Sequence, residues 1–130
     1  MKNPLIYLFA AFMTMVSLTA CSGDDDSNPV SSSREIKYEI TGNINATDMS
    51  VTYTVNGGGT TADITELPWN YTYTAEDDTF GGGFSFSATD AQPGEKVTLN
   101  VYQGDTKLES VEGTANGDGI IVATISATFN

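Results

Sequence analysis

The sequence predicts an all-β domain, an antiparallel immunoglobulin-like sandwich of about seven strands, filling residues 34–130 of a 130-residue chain. Three observations predict it. Apolar and polar side chains alternate with period two through six separate stretches. The apolar positions are mostly β-branched or aromatic, and turn formers rich in glycine fall between the stretches. No stretch of this region shows the 3.6-residue period of an amphipathic helix.

Successive side chains of a strand point to opposite faces, so a half-buried strand alternates. Ile36, Tyr38 and Ile40 alternate with Glu35, Lys37 and Glu39. Val51, Tyr53 and Val55 alternate with Thr52 and Thr54. Trp69, Tyr71 and Tyr73 follow, then Phe84, Phe86 and Ala88, then Val97, Leu99 and Val101. Ile121, Ala123, Ile125, Ala127 and Phe129 close the series. Between them lie Thr41-Gly42-Asn43, Asn56-Gly57-Gly58-Gly59, Gly81-Gly82-Gly83, Gln92-Pro93-Gly94, Gln103-Gly104-Asp105 and Asn116-Gly117-Asp118-Gly119, which read as turns. The glycine triplets have no following Lys-Ser/Thr and open no helix, so they read as hairpin turns and not as phosphate loops. Strand count alone does not separate a sandwich from an open barrel.

Pro68 has no amide hydrogen, which suits the first residue of a strand or a sheet edge. Trp69 then heads an inward row with Tyr71 and Tyr73, and is expected to be the central core aromatic of the sandwich. The competing expectation is a platform for sugar rings, which needs Trp69, Tyr71 or Tyr53 to face solvent.

Residues 1–33 have a different character. After Met1, Lys2, Asn3 and Pro4 an apolar run extends from Leu5 to Leu18, broken by Thr14 and Ser17. It is short beside the ~20 apolar residues of a spanning helix and fits the apolar core of a signal peptide, with Lys2 at its positive end. Leu18-Thr19-Ala20-Cys21 resembles the lipobox of bacterial lipoproteins, which implies cleavage between Ala20 and Cys21 and diacylglycerol on the Cys21 thiol. Residues 1–20 are thus expected to be a lipoprotein signal peptide, and 21–33 a lipidated, disordered tether with one apolar side chain, Val30, among residues 22–33. Asp24, Asp25 and Asp26 resemble the acidic export signal of surface lipoproteins in the Bacteroidetes. Ser22 in place of aspartate favours the outer membrane, by resemblance to sorting rules in other Gram-negative lipoproteins.

Removing residues 1–20 leaves four cations against seventeen carboxylates, a net charge of −13. So acidic a surface repels phosphate backbones and anionic headgroups. No nucleic-acid partner is therefore expected, and membrane attachment is expected through the lipid alone. The chain has no histidine, and its one cysteine is the lipid site. That excludes Ser-His-Asp and Cys-His nucleophiles and the usual zinc sites. No carboxylate lies in an apolar context of the kind that makes a general acid, so no enzyme activity and no cofactor are expected. Glu76-Asp77-Asp78 and Asn116-Gly117-Asp118 carry the oxygen ligands calcium prefers, but neither has the spacing of a known calcium loop, and no metal site is assigned.

The region from about Tyr38 to Phe129 resembles the soluble domain of the MmpS family, the mycobacterial transport accessory proteins. The resemblance is carried by Tyr38-Glu39-Ile40-Thr41-Gly42, Val51-Thr52-Tyr53, Val55-Asn56-Gly57-Gly58-Gly59 and above all Leu67-Pro68-Trp69. Phe84-Ser85-Phe86-Ser87-Ala88 and Val97-Thr98-Leu99-Asn100-Val101 continue in the family's order. It implies a β-sandwich that assists an exporter of the resistance-nodulation-division type. This chain differs in having a lipobox where the family has an uncleaved transmembrane helix, and in lacking a late cysteine pair. The expected function is a non-catalytic accessory or protein-binding module, lipid-anchored in the cell envelope and bound to a transporter or an outer-membrane complex. The alternative is a surface module that binds glycan or host matrix.

Overall fold

The computed structural model describes residues 33–130. They form β1 (Glu35–Gly42), β2 (Asp48–Val55), β3 (Gly58–Ile64), β4 (Trp69–Thr74), β5 (Gly81–Thr89), β6 (Lys96–Gln103), β7 (Thr106–Thr114) and β8 (Ile121–Thr128), with no helix among the described residues. One sheet has the order β4-β1-β6-β7 and the other β3-β2-β5-β8, and every pairing is antiparallel. The chain forms the predicted sandwich, with eight strands where the sequence suggested about seven.

Four of the six alternating stretches became the interior strands, and the other two became the edges β4 and β8. β1 and β6 are interior to the first sheet, and β2 and β5 to the second. Ile36, Tyr38, Ile40, Val51, Phe86, Val97, Leu99, Val101 and Ile121 are fully buried between the sheets. Each large side chain so buried stabilises the fold by about 1.5–3 kcal/mol. The two strands that the alternation does not mark, β3 and β7, are both edges. β3 buries little, so its sequence is free of the pattern: four of its seven residues, Gly58 to Thr61, are exposed in succession.

Two turn assignments need correction. In Asn56-Gly57-Gly58-Gly59 only Asn56 and Gly57 form the turn, both with positive φ (49° and 84°), which is the geometry that a two-residue hairpin loop demands. Gly58 and Gly59 are already in β3. Gly81-Gly82-Gly83 is not a turn at all but the opening of β5, laddered to Thr128, Ala127 and Ser126 of β8. Its glycines answer to crowding: a Cβ on Gly82 would lie 2.6 Å from the Tyr38 hydroxyl and 3.0 Å from Thr54 Oγ1.

The two sides of the sandwich differ. β7 and β8, the last strands of their sheets, pack against each other, whereas β3 and β4 at the opposite side do not close in the same way. That open side is where the aromatic residues gather.

Candidate binding edge

β4 alternates half-buried Trp69, Tyr71 and Tyr73 with exposed Asn70, Thr72 and Thr74. Its rings turn toward the other sheet. Tyr53 of β2 lies 5.7 Å from Trp69 and 4.6 Å from Tyr71, centroid to centroid, and Trp69 is 6.2 Å from Phe84 of β5. Tyr38, fully buried on β1, holds the layer together at 5.0 Å from Phe84, 5.6 Å from Tyr73 and 6.5 Å from Tyr53. Tilted aromatic pairs at such distances add about 0.5–1.5 kcal/mol each beyond the area they bury.

Trp69 therefore does not hold the central position the sequence suggested. Tyr38 and Phe86 are the fully buried aromatics. The reason is topological: β4 is an edge strand, so its inward side chains are covered from one flank only, whereas β1 has a neighbour on each side. Trp69 thus lies between the two readings, packed against the core yet partly open to solvent. Leu67 and Pro68 precede it in the β3–β4 connection, Leu67 half-buried against the core and Pro68 exposed.

Polar groups within the layer are tied down. Tyr38 Oη donates to the carbonyl of Thr54 at 2.8 Å and lies 2.9 Å from Tyr73 Oη. Because the single Tyr38 proton goes to Thr54, Tyr73 donates to Tyr38. Burial, then the hydrogen bond to Tyr38, push the Tyr73 hydroxyl well above the usual tyrosine range, and nearby Arg34 opposes them.

Charge is distributed unevenly around this side. Asp63 and Glu66 share with Ile64, Pro68 and Trp69 a shallow depression of about 430 Å³ at one end of β3. At the other end Asn56 Oδ1 accepts from the amide of Glu76 (2.8 Å), which brings the acidic β4–β5 connection to the β2–β3 turn. Lys37, Lys96 and Lys107 all stand on the outer face of the first sheet, Lys37 paired with Glu39 (3.7 Å) and Lys96 with Glu112 (3.4 Å). Arg34 is committed to carbonyls, donating to Glu76 and Thr79 (2.6 Å each) and to Asn130 (3.1 Å). Each lysine thus lies on the opposite face of the first sheet from the aromatic layer.

The two oxygen-rich loops are occupied by the chain's own groups. The Arg34 guanidinium takes two carbonyls of the Glu76-Asp77-Asp78 segment and its neighbour Thr79. Asn116 Oδ1 accepts from the amides of Asp118 (2.9 Å) and Ile120 (3.0 Å) and so closes its own turn. Among the described residues no three acidic, histidine or cysteine side chains converge as a metal site would require. Ala20, Cys21, Asp24, Asp25 and Asp26, with the signal peptide, lie outside the described residues. Ser33, the last residue assigned to the tether, already accepts a hydrogen bond from Gln103 Nε2 (2.7 Å).

Sequence reading missed β3 as a strand, and with it the open edge. It also missed a polar cluster on the outer face of the first sheet. There Glu39 accepts from Asn100 Nδ2 (3.0 Å) and Tyr102 Oη (3.3 Å), and Lys37 lies 4.5 Å from the centre of the Tyr102 ring. Cross-strand pairing of β1 with β6 assembles this cluster, a relation no local pattern reports. Comparison with models of known protein families, with curated proteins and with solved structures finds no match for the chain.

Proposed function

We propose that the chain is a lipid-anchored cell-envelope module without catalytic chemistry, acting by contact with another envelope protein, as its resemblance to the MmpS transport accessory proteins implies. The anchor is the acylated Cys21, reached through the tether of residues 21–33, and the outer membrane is the membrane concerned. The observation that carries the reading is the open side of the sandwich, where the unclosed edges β3 and β4 border a partly exposed aromatic layer. An uncovered strand edge is a template for protein contact, and proteins without a use for one commonly blunt it.

A photo-crosslinking residue in place of Thr61 on β3, compared with one at Thr98 on the outer face of the first sheet, tests this in intact cells. A discrete protein adduct from position 61 and none from 98 supports the reading. Absence of adducts from position 61, with the protein present at normal abundance, refutes it. Incorporation of labelled palmitate that is lost in Cys21→Ala tests the anchor separately.

The second reading, binding of glycan or host matrix, is favoured by one observation: Tyr53, Trp69 and Tyr71 keep part of their surface open to solvent. Glycan binding that is lost in Trp69→Ala with the fold intact would select it.

A further inference from the structure

We propose that the free edge of β3 accepts an extended, basic segment of a protein partner as an additional strand of the second sheet, an inference that rests on the protein-contact reading above. The four sheet edges differ in how they are protected. β7 is interrupted by a register shift against Val101/Tyr102, carries Lys107, Glu109 and Glu112, and packs on β8. β8 is covered in turn by β7. β4 is headed by Pro68, which offers no amide hydrogen. β3 is the longer and more exposed of the two edges on the open side: it pairs with β2 in seven unshifted steps, contains no proline and no lysine, and is exposed from Gly58 to Thr61. Bulges, edge lysines and proline are the means by which sheet edges are kept from pairing.

What would lie beside it follows from register and charge. Thr60 pairs with Tyr53 and Ala62 with Val51, so both point toward the space between the sheets. The rings of Trp69 and Tyr71 on β4 pack on Tyr53 of β2, and β3 lies outside β2 at the edge of the sheet. A strand added outside β3 would lay alternate side chains along that uncovered margin, where β-branched side chains fit a half-buried pleated surface. Acidic groups stand at both ends, Asp63 and Glu66 at one and Glu76 at the other, with the lysines on the far face of the first sheet. The seven residues of β3 span roughly 23 Å at about 3.3 Å per residue. The complementary segment is therefore a strand of β-branched residues with a cation at each end.

The test uses the full chain purified in detergent and two synthetic peptides. Each has an alternating valine–threonine core matched to the length of β3, one ending in lysines and the other in glutamates. Binding by titration and residue-resolved amide exchange are measured together. The lysine-ended peptide is expected to bind and to slow exchange across Gly58–Ile64. The glutamate-ended peptide, and the variants Thr60→Lys and Asp63→Lys with the lysine-ended peptide, are expected to bind about tenfold more weakly or worse. Both substitutions fall on exposed positions, and unchanged exchange in β1 and β6 will show that the fold is kept. Equal affinity for the two peptides, protection at another strand, or no binding of either overturns the proposal. So does a glycan fragment that protects the Trp69 face while the peptides do nothing. A position-61 adduct in cells combined with failure of the peptides would sink strand addition and leave the protein-contact reading standing.

Discussion

Replacing Tyr38 with phenylalanine removes one oxygen from the middle of the aromatic layer and changes almost nothing else. The side chain is fully buried, so water does not reach the vacated position. Two partners lose by it: the Thr54 carbonyl, which accepted at 2.8 Å, and Tyr73, which donated at 2.9 Å. A buried group left without its partner costs about 1–3 kcal/mol, against roughly 1 kcal/mol for the net value of a hydrogen bond. Tyr73 is only half-buried on an edge strand, so the Thr54 carbonyl carries most of the loss. Tyr38→Phe should therefore destabilise by about 2 kcal/mol and Tyr73→Phe by about 1 kcal/mol. The double variant should fall short of their sum by on the order of 1 kcal/mol, since the bond between them is lost once. Urea unfolding followed through Trp69, the single tryptophan, measures all three against the native chain. An unchanged denaturant slope will show that the unfolded state is not the cause. A neutral Tyr38→Phe, or strictly additive losses, would refute the claim that this hydroxyl pair is sequestered and coupled.

The same pair sets a response to alkali: the Tyr73 pKa is raised in the folded chain, so the stability it contributes is complete below about pH 10, the unfolded tyrosine value. It falls as pH rises beyond that, because the unfolded chain sheds the proton first; unfolding midpoints above pH 10 should drop less steeply in Tyr73→Phe. Gly82→Ala places a methyl group 2.6 Å from the Tyr38 hydroxyl and should cost about 1–3 kcal/mol by thermal or urea unfolding, as overpacking does. Arg34→Gln removes a cation that holds three carbonyls from two segments; a loss of about 1.5–3 kcal/mol, together with faster amide exchange in residues 76–80, is expected. Arg34→Lys should recover less than half of that loss, because an ammonium cannot reproduce the planar fork.

The sequence carried the fold where burial forces a pattern. Ile36-x-Tyr38-x-Ile40 and Val97-x-Leu99-x-Val101 lie on interior strands whose inward side chains are fully enclosed, and apolar residues recur there at every second position, although the polar Asn100 between Leu99 and Val101 is buried as well. At the edges β3 and β7 the pattern loses its cause, whereas β4 and β8 keep it through the inward rows they pack against the core. β3 consists of Gly-Gly-Thr-Thr-Ala-Asp-Ile, and with so few side chains to bury, its first residues read as an extension of the Asn56-Gly57 turn. β7 alternates imperfectly because it is an edge with a register shift. The glycines of β5 misled for another reason. Glycine serves turns by its conformational freedom and strands by its lack of bulk, and only the neighbouring Tyr38 hydroxyl tells which use applies at Gly82. The aromatic row of β4 was legible as a row, but its depth was not, because depth depends on whether a strand is interior or at an edge.

The central claim, that the open β3 edge is the working surface, is tested most directly by native-gel migration of the protein in detergent-solubilised envelopes. The comparison is between the native chain, Thr60→Lys on the β3 edge, and Thr98→Lys on the outer face of the first sheet. A complex larger than the single chain is expected, surviving Thr98→Lys and lost in Thr60→Lys, with equal amounts of folded protein in all three. A complex that persists unchanged in Thr60→Lys would contradict that claim.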